Sequence, residues 1–311
     1  MDFALDDTGQ AVAGLTREIL SREPDPDSAW KALSQSGLLT ELGVLETAVV
    51  LNEVGRAAAA LPALSTLALG VLPITLHGTP AQQELLAPVA AGERQLTAAL
   101  RGSVTVSNLN SLSGKAIGVP YAATAYRILV PAGDTVFLVA PEDTALTRTY
   151  AATGTPEYTV TLDGTPGEPL CTTVDLRRLA IAGACAYGDG LLAGALDLTA
   201  SHVRTREQFG KPLATFQAVA QQIADVYIAS RTLHLAAWSA SWRLSEGLDP
   251  DEDLAVAAYW LTEEALPALH TCHHLHGGVG VDASYPLHRY YSATKDLVRL
   301  LGGVEHRLAA V

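Results

Sequence analysis

The residues best suited to chemistry lie in two stretches of the last third of the chain. In the first, Arg204 and Arg206 precede Glu207-Gln208-Phe209-Gly210-Lys211-Pro212, and Phe216-Gln217 follow. Guanidiniums at the end of a helix sit where the helix dipole favours cations, and each can clamp an anion such as a pyrophosphate bidentately. The same residues also read as a solvated charge cluster at a corner between two helices. In the second stretch, His270, Cys272, His273, His274 and His276 lead into Gly277-Gly278-Val279-Gly280. His270 and His274, spaced i, i+4, fall on one helix face, where Cys272 or His276 could complete a zinc site. No acid or second ligand pair accompanies them, and no metal is assigned. The stretch also reads as a helix ending in a glycine-rich turn with part-buried histidines, or as a turn whose glycines let a dinucleotide approach the backbone.

Both stretches need long helices to hold them. Ala and Leu at helical spacing predict helices over about residues 176–205, 217–246, 251–275 and 292–308, four amphipathic segments with short connections that make a four-helix bundle. Gly210 and Pro212 separate the first two, with Phe209 and Phe216 expected to anchor the connection to the core. Gly247 closes the second helix, and Pro250-Asp251 opens the third. Near the start of the chain, Asp6, Asp7 or Thr8 caps a helix running to about Ser21, and Asp27 or Ser28 caps another carrying Trp30 and Leu33. A third helix, about 42–60, ends in Gly55-Arg56 and four alanines, so its last turn should pack closely on another helix. Residues 63–76 are almost wholly apolar and should be buried. Thr79 caps a further helix with Pro80 in its first position. Between about 95 and 170, short apolar or β-branched runs at 96–100, 128–130, 135–139 and 158–162 predict strands of a small β domain.

The 311 residues are rich in Ala and Leu, as expected of a mainly α protein, and are enough for two or three domains. A net charge of −13 argues against nucleic acid or an anionic membrane surface as the main partner. Three widely spaced cysteines, an odd number, with no secretory signal before them, fit a reducing cytoplasm. No apolar run free of Gly, Pro or polar interruption reaches the length of a bilayer span.

Arg206 through Pro212, Phe216-Gln217 and Ala224-Asp225 resemble the C-terminal signature of the acyl-CoA dehydrogenase family. Leu275-His276-Gly277-Gly278-Val279-Gly280 with Tyr285 through Tyr291 resembles a second loop of that family, and Gly78 through Leu86 ending in Gly92-Glu93 resembles its last N-terminal helix. The resemblance implies an N-terminal helical domain (1–95), a shortened middle β domain (96–172) and a C-terminal four-helix bundle (173–311). It also implies contacts to the ADP part of an FAD held largely by a neighbouring subunit, through Arg206, Gln208, Phe209, Gln217, His274, Gly277 and Gly278. His274 stands where the family usually has Gln, and an imidazole can still hydrogen-bond there.

Other family features are absent. The middle domain should cover the flavin ring with a Glu-Pro-x-x-Gly-Ser stretch and a Trp-containing strand. This chain instead has Arg101-Gly102-Ser103-Val104-Thr105, no Trp between Trp30 and Trp238, and a deletion placed between Ser103 and Ser113. The family's base is a glutamate that removes the α-proton of a thioester while hydride leaves the β-carbon, a task that needs a carboxylate made basic by desolvation. In one branch of the family its position corresponds to Gly302. In another it corresponds to Arg177 by local wording or Ala180 by counting back from Arg206. Glu305, Asp175 and Asp189 remain as substitutes, with surface or capping roles expected. On a continuous helix Glu305 would point about 60° away from position 302.

The retained residues are those the family lends to a neighbour's flavin, and the missing ones do the chemistry. The resemblance therefore implies a non-catalytic subunit of an FAD-dependent acyl-CoA dehydrogenase that completes the FAD site of a catalytic partner chain. It is similar to the heteromeric enzymes of actinobacteria, several of which act on CoA thioesters of steroid side chains. An α2β2 assembly, an acyl-CoA substrate and an electron-transfer flavoprotein or similar acceptor go with that reading. A homomeric dehydrogenase with an unusual base and a non-enzymatic acyl-CoA-binding or assembly protein stand as alternatives.

Overall fold

The structure, a computed structural model, describes residues 4–107 and 109–308. It comprises two compact units, one of residues 5–50 and 60–183, the other built mainly from residues 51–59 and 184 onward. The architecture is mainly helical with a small β region. Helices α3 (Val44–Arg56) and α7 (Thr173–Thr205) contribute to both units.

In the first unit, α1 (Asp7–Arg22) is capped by Asp6, whose carboxylate accepts the Gly9 N–H at 2.7 Å. Helix α2 (Pro26–Gln35) begins earlier than the expected caps Asp27 and Ser28. Pro26 has no N–H to satisfy and takes the first helical position, so Asp25 becomes the cap and accepts the Ser28 N–H at 2.9 Å. The apolar run after Pro62 winds as a π-helix over Leu64–Val71 and continues as α4 (Leu72–His77), buried until Leu76 emerges into solvent. A reciprocal box of Thr79 and Gln82 opens α5 (Pro80–Gln83), and α6 (Ala87–Ala90) follows.

Two four-stranded sheets complete this unit. One has the order β1 (Gln95–Ala98), β4 (Ala125–Ala132), β5 (Thr135–Val139), β8 (Glu168–Thr172). The other has the order β2 (Gly102–Val106), β3 (Ser111–Pro120), β7 (Pro156–Pro166), β6 (Ala145–Tyr150). Ile128, Val130, Phe137 and Val139 share a core with Leu112 and Val160 of the second sheet. The intervening Leu129, Val136 and Leu138 face the opposite way, onto Leu69, Ile74 and Leu176. Strands covered on both faces are apolar along their covered stretches, which is why Ile128–Pro131 of β4 and Val136–Val139 of β5 stand out in the sequence. Strands β2 and β6 are mostly exposed, so their polar composition hides them. The stretch expected to carry a deletion is the β2–β3 hairpin, paired antiparallel from Gly102 and Ala116 to Val106 and Leu112.

The second unit holds the C-terminal helices. Helix α7 is long and apolar enough to cross a bilayer, but 83% of its most apolar window is buried inside the protein, as in a core helix. It is followed by α8 (Gln217–Ser245) and α9 (Asp251–His276). The single helix expected over 292–308 is instead α10 (Leu287–Leu300) and α11 (Val304–Leu308). Gly302 and Gly303 separate them at φ +89° and +82°, a left-handed backbone that cannot continue a right-handed helix.

The end of α3 packs tightly on α7, as the Gly55-Arg56 ending predicts. A β-carbon on Gly190 would lie 1.9 Å from the Asn52 carbonyl oxygen, and one on Gly55 would lie 2.2 Å from the Tyr187 carbonyl oxygen. Two helix backbones can approach this closely only where no side chain intervenes. Gly190→Ala is therefore expected to destabilise the protein by about 1–3 kcal/mol through overpacking. Gly14→Ala, in α1 with nothing within 4 Å of the new carbon, should instead stabilise by about 0.5–1 kcal/mol through helix propensity. Urea unfolding of the two variants against the parent checks both signs.

Candidate functional site

Helix α7 ends at Thr205, and the backbone then turns back on itself. Arg206 N–H still donates to the His202 carbonyl at 2.8 Å, and the Arg206 carbonyl accepts from Leu213 N–H at 2.9 Å. Between these bonds, β9 (Glu207–Gln208) pairs with β10 (Lys211–Pro212). The two turn residues, Phe209 and Gly210, both have positive φ, 54° and 76°. Two consecutive left-handed residues make the tight hairpin turn whose twist suits antiparallel strands. The corner is thus a β-hairpin, where the sequence suggests only a helix break.

Phe209 corrects a second expectation. It does not anchor the connection to the core; it is 92% exposed at the hairpin tip. Its ring meets the half-buried Phe216 edge-on at 6.2 Å, and Lys211 Nζ lies 4.3 Å from the Phe216 ring centre. Gly210 alone supplies a good turn residue, and Phe209 adopts the left-handed conformation at a cost of about 1 kcal/mol. Arg204, Arg206, Gln208 and Gln217 are exposed as well. Among the described residues neither Arg204 nor Arg206 forms a salt bridge. The corner therefore presents free guanidiniums to solvent.

The second corner is the end of α9. Gly277 has φ 59° and ψ −137°, a conformation open only to glycine, and a short 3-10 turn runs from it to Val281. A β-carbon on Gly277 or Gly278 would meet nothing within 4 Å, so the backbone there is open to a ligand. His274 is exposed beside it. The other histidines of this stretch have separate tasks. His270 Nε2 lies 2.6 Å from Tyr291 Oη, His273 Nδ1 donates to the Gly280 carbonyl at 2.8 Å, and His276 Nδ1 donates to the Cys272 carbonyl at 2.8 Å. Burial pushes the Cys272 thiol up to about 11, away from the thiolate a metal prefers. Among the described residues no group of three or more His, Cys, Asp or Glu has metal-binding geometry.

The two corners are linked by a contact the sequence does not advertise. His202, one helical turn before Arg206, stacks on His276, the residue before Gly277, with ring centres 4.4 Å apart and planes 23° from parallel. Burial, and then the Arg206 charge, holds His202 below the usual histidine range. Burial is also the main cause holding His276 low, reinforced by His202 and His273 against the bond to Cys272.

Residues 170–308 match the family described as acyl-CoA dehydrogenase, C-terminal domain. Acyl-CoA dehydrogenase FadE28 of Mycobacterium tuberculosis is 45% identical, the match covering 99% of this chain and 97% of that protein. The chain belongs to the acyl-CoA dehydrogenase family. Two solved structures share its fold at a TM-score of 0.91 and 31% identity: the Tcur3481-Tcur3483 steroid ACAD G363A variant and the ChsE4-ChsE5 complex from Mycobacterium tuberculosis. The first covers 97% of this chain and 96% of its own, the second 99% and 97%.

Within this acyl-CoA dehydrogenase fold, the positions matched to the family glutamate are structurally unlike one another. Gly302 lies in the α10–α11 break, and a β-carbon there would meet the His306 ring at 2.9 Å. Glu305 lies beyond that break on α11, exposed, so the 60° relation to position 302 on one continuous helix does not hold. Arg177 is exposed on α7, whereas Ala180 is 2% exposed in an apolar core with Leu176. Asp175 caps α7 with Thr172, whose hydroxyl donates to it at 2.6 Å.

Asp189 is neither a surface residue nor a cap. It is 1% exposed, and its Oδ2 accepts from Asn52 Nδ2 at 2.7 Å, His234 Nδ1 at 2.8 Å and Trp238 Nε1 at 3.3 Å. One carboxylate thereby ties α3, α7 and α8 together. The sequence carries one hint of this, an Asp flanked by Gly188 and Gly190 in an apolar run, and the surface or capping role expected of it is overturned. Asp189→Ala strands these buried donors and is expected to lower unfolding free energy by about 3–5 kcal/mol in chemical denaturation. A loss under about 1 kcal/mol would contradict the assignment.

Proposed function

We propose that this chain is a subunit of an FAD-dependent acyl-CoA dehydrogenase, one that completes the FAD site of a catalytic partner chain and does not itself supply the base. The observation that carries the reading is a contrast. Both corners matched to cofactor contact are exposed and chemically free, while the positions matched to the base hold Gly302, Arg177 and Ala180.

The corners suit the ADP end of FAD. Unpaired guanidinium donors at Arg206 match a pyrophosphate, and the open backbone at Gly277-Gly278 admits a bulky group where a side chain would block it. Gln208, Phe209, Gln217 and His274 are exposed on the same two segments and complete the set. When bound, FAD supplies the hydride acceptor for α,β-desaturation of an acyl-CoA thioester. This chain's residues bind and orient its nucleotide end, and the partner supplies the proton-abstracting carboxylate.

Heteromeric relatives support a two-chain assembly, since the ChsE4-ChsE5 structure is a complex and the Tcur3481-Tcur3483 structure is a steroid enzyme of two named chains. By extension the proposed substrate is the CoA thioester of a steroid side chain, the assembly α2β2, and the acceptor an electron-transfer flavoprotein or similar carrier. A net charge of −13 agrees with a protein that meets neither nucleic acid nor an anionic membrane.

Arg206→Ala tests the role of the first corner. Losing a charge-assisted bond to phosphate is expected to weaken FAD retention in the purified two-chain complex about 10- to 100-fold. The isolated chain's circular dichroism and melting temperature should not change, because the Arg206 side chain is exposed. Unchanged flavin content in the complex would defeat the assigned role.

A further inference from the structure

We propose that His202 and His276 form a positioning pair that holds the Arg206 hairpin and the Gly277-Gly278 turn in one arrangement, and that uptake of a proton by either ring releases the two corners together. The proposal rests on the cofactor reading above for its consequence, though its mechanism lies wholly within this chain. His202 belongs to the last turn of α7, and its carbonyl accepts the Arg206 N–H at 2.8 Å. His276 ends α9, and the turn it begins is held at its far side by the His273 bond to the Gly280 carbonyl. Stacking the two imidazoles therefore joins the base of one corner to the base of the other.

The hydrogen bonds define the state in which this lock holds. His276 is 5% exposed, and its Nδ1 faces the Cys272 carbonyl, which can only accept, so Nδ1 carries the proton. Nε2 is then the acceptor for the Tyr285 hydroxyl at 3.1 Å. Both ring nitrogens are satisfied in this one neutral tautomer. A proton on Nε2 would turn the acceptor into a donor, force the Tyr285 hydroxyl round, and place a cation against the stacked ring of His202.

The groups facing the pair add no relief. Arg206, just past the end of α7, stands beside His202; Cys272 and His273 flank His276 on α9; Tyr285 approaches from the segment before α10, whose His288 in turn faces His273. Arg206 is cationic, and every histidine in the cluster becomes so on protonation. The direction of the shifts agrees: a histidine held below its ordinary value keeps the folded form stabilised above about pH 6.5 and loses that contribution as the pH falls. Release is therefore an acid event.

Hydrogen–deuterium exchange of the full chain, corrected for intrinsic rates, reads the coupling without any cofactor. Protection of residues 202–213 and 274–282 should fall together by about tenfold per pH unit as the pH drops below about 6.5. His202→Phe keeps a flat ring but removes one titrating site, so the acid step should shrink in both segments. His202→Leu removes the stack and should expose both segments already at about pH 8. Protection of α8 serves as the folding control. If His202→Leu disturbs α8, the Phe variant decides.

Exchange that changes only in the segment carrying the substitution, or is independent of pH in both, overturns the proposal. Flavin release from the two-chain complex separates it from the cofactor reading. Coupled exchange with flavin held equally at all pH values leaves the pair standing and defeats the cofactor reading. Flavin lost on Arg206→Ala while the two segments exchange independently defeats the pair alone.

Discussion

Taking the Asp189 carboxylate out of water costs several kcal/mol unless other donors replace the water, and the second unit is arranged around meeting that demand. Asn52, His234 and Trp238 can all reach one oxygen only because α3 lies almost in backbone contact with α7 and α8 presents its inner face to the same point. The glycines Gly55, Gly190 and Gly194 permit the approach, each placed where a β-carbon would strike a carbonyl oxygen of the facing helix. Tyr290 extends the same seam by donating its hydroxyl to the Arg56 carbonyl at 3.0 Å. Packing and polar satisfaction thus fix α7, which carries His202 in its last turn and leads directly into Arg206.

From that fixed helix the chain passes to segments with the opposite character. The hairpin from Arg206 to Pro212 and the turn from Gly277 are largely exposed, leave the Arg206 guanidinium without a salt bridge among the described residues, and use left-handed backbone at Phe209, Gly210 and Gly277. A monomer gains nothing by exposing Phe209 at 92% in a strained conformation. Such features are stable only because the helices beneath over-determine them, and they suit contact with something outside the chain. These exposed corners agree with the proposal of a subunit that lends part of its surface.

Much of this was legible in the residues. The long helices follow from Ala and Leu periodicity, and the central strands β4 and β5 follow from the unbroken apolar runs 128–131 and 136–139, which are covered on both faces. The close packing at Gly55 could be read from a helix that ends in small residues. Other features were hidden for physical reasons. Strands β2 and β6 face solvent and read as polar loop. The hairpin at Phe209-Gly210 lacks the usual Asn or Asp in its first turn position, so its left-handed pair gave no signal. The break at Gly302-Gly303 is local backbone geometry that an amphipathic pattern runs straight through. The His202–His276 stack joins residues far apart in the chain with no shared motif, and Asp189 looked like a spare acid until its three donors were in place.

The central claim is that the exposed corners serve another chain's cofactor site. Its most direct test is the visible flavin spectrum and acyl-CoA oxidation with an artificial acceptor, recorded for this chain alone and after co-purification with a full catalytic acyl-CoA dehydrogenase partner. The account predicts a colourless, inactive chain alone and a yellow, active complex. A chain that is yellow and oxidises acyl-CoA by itself would contradict it.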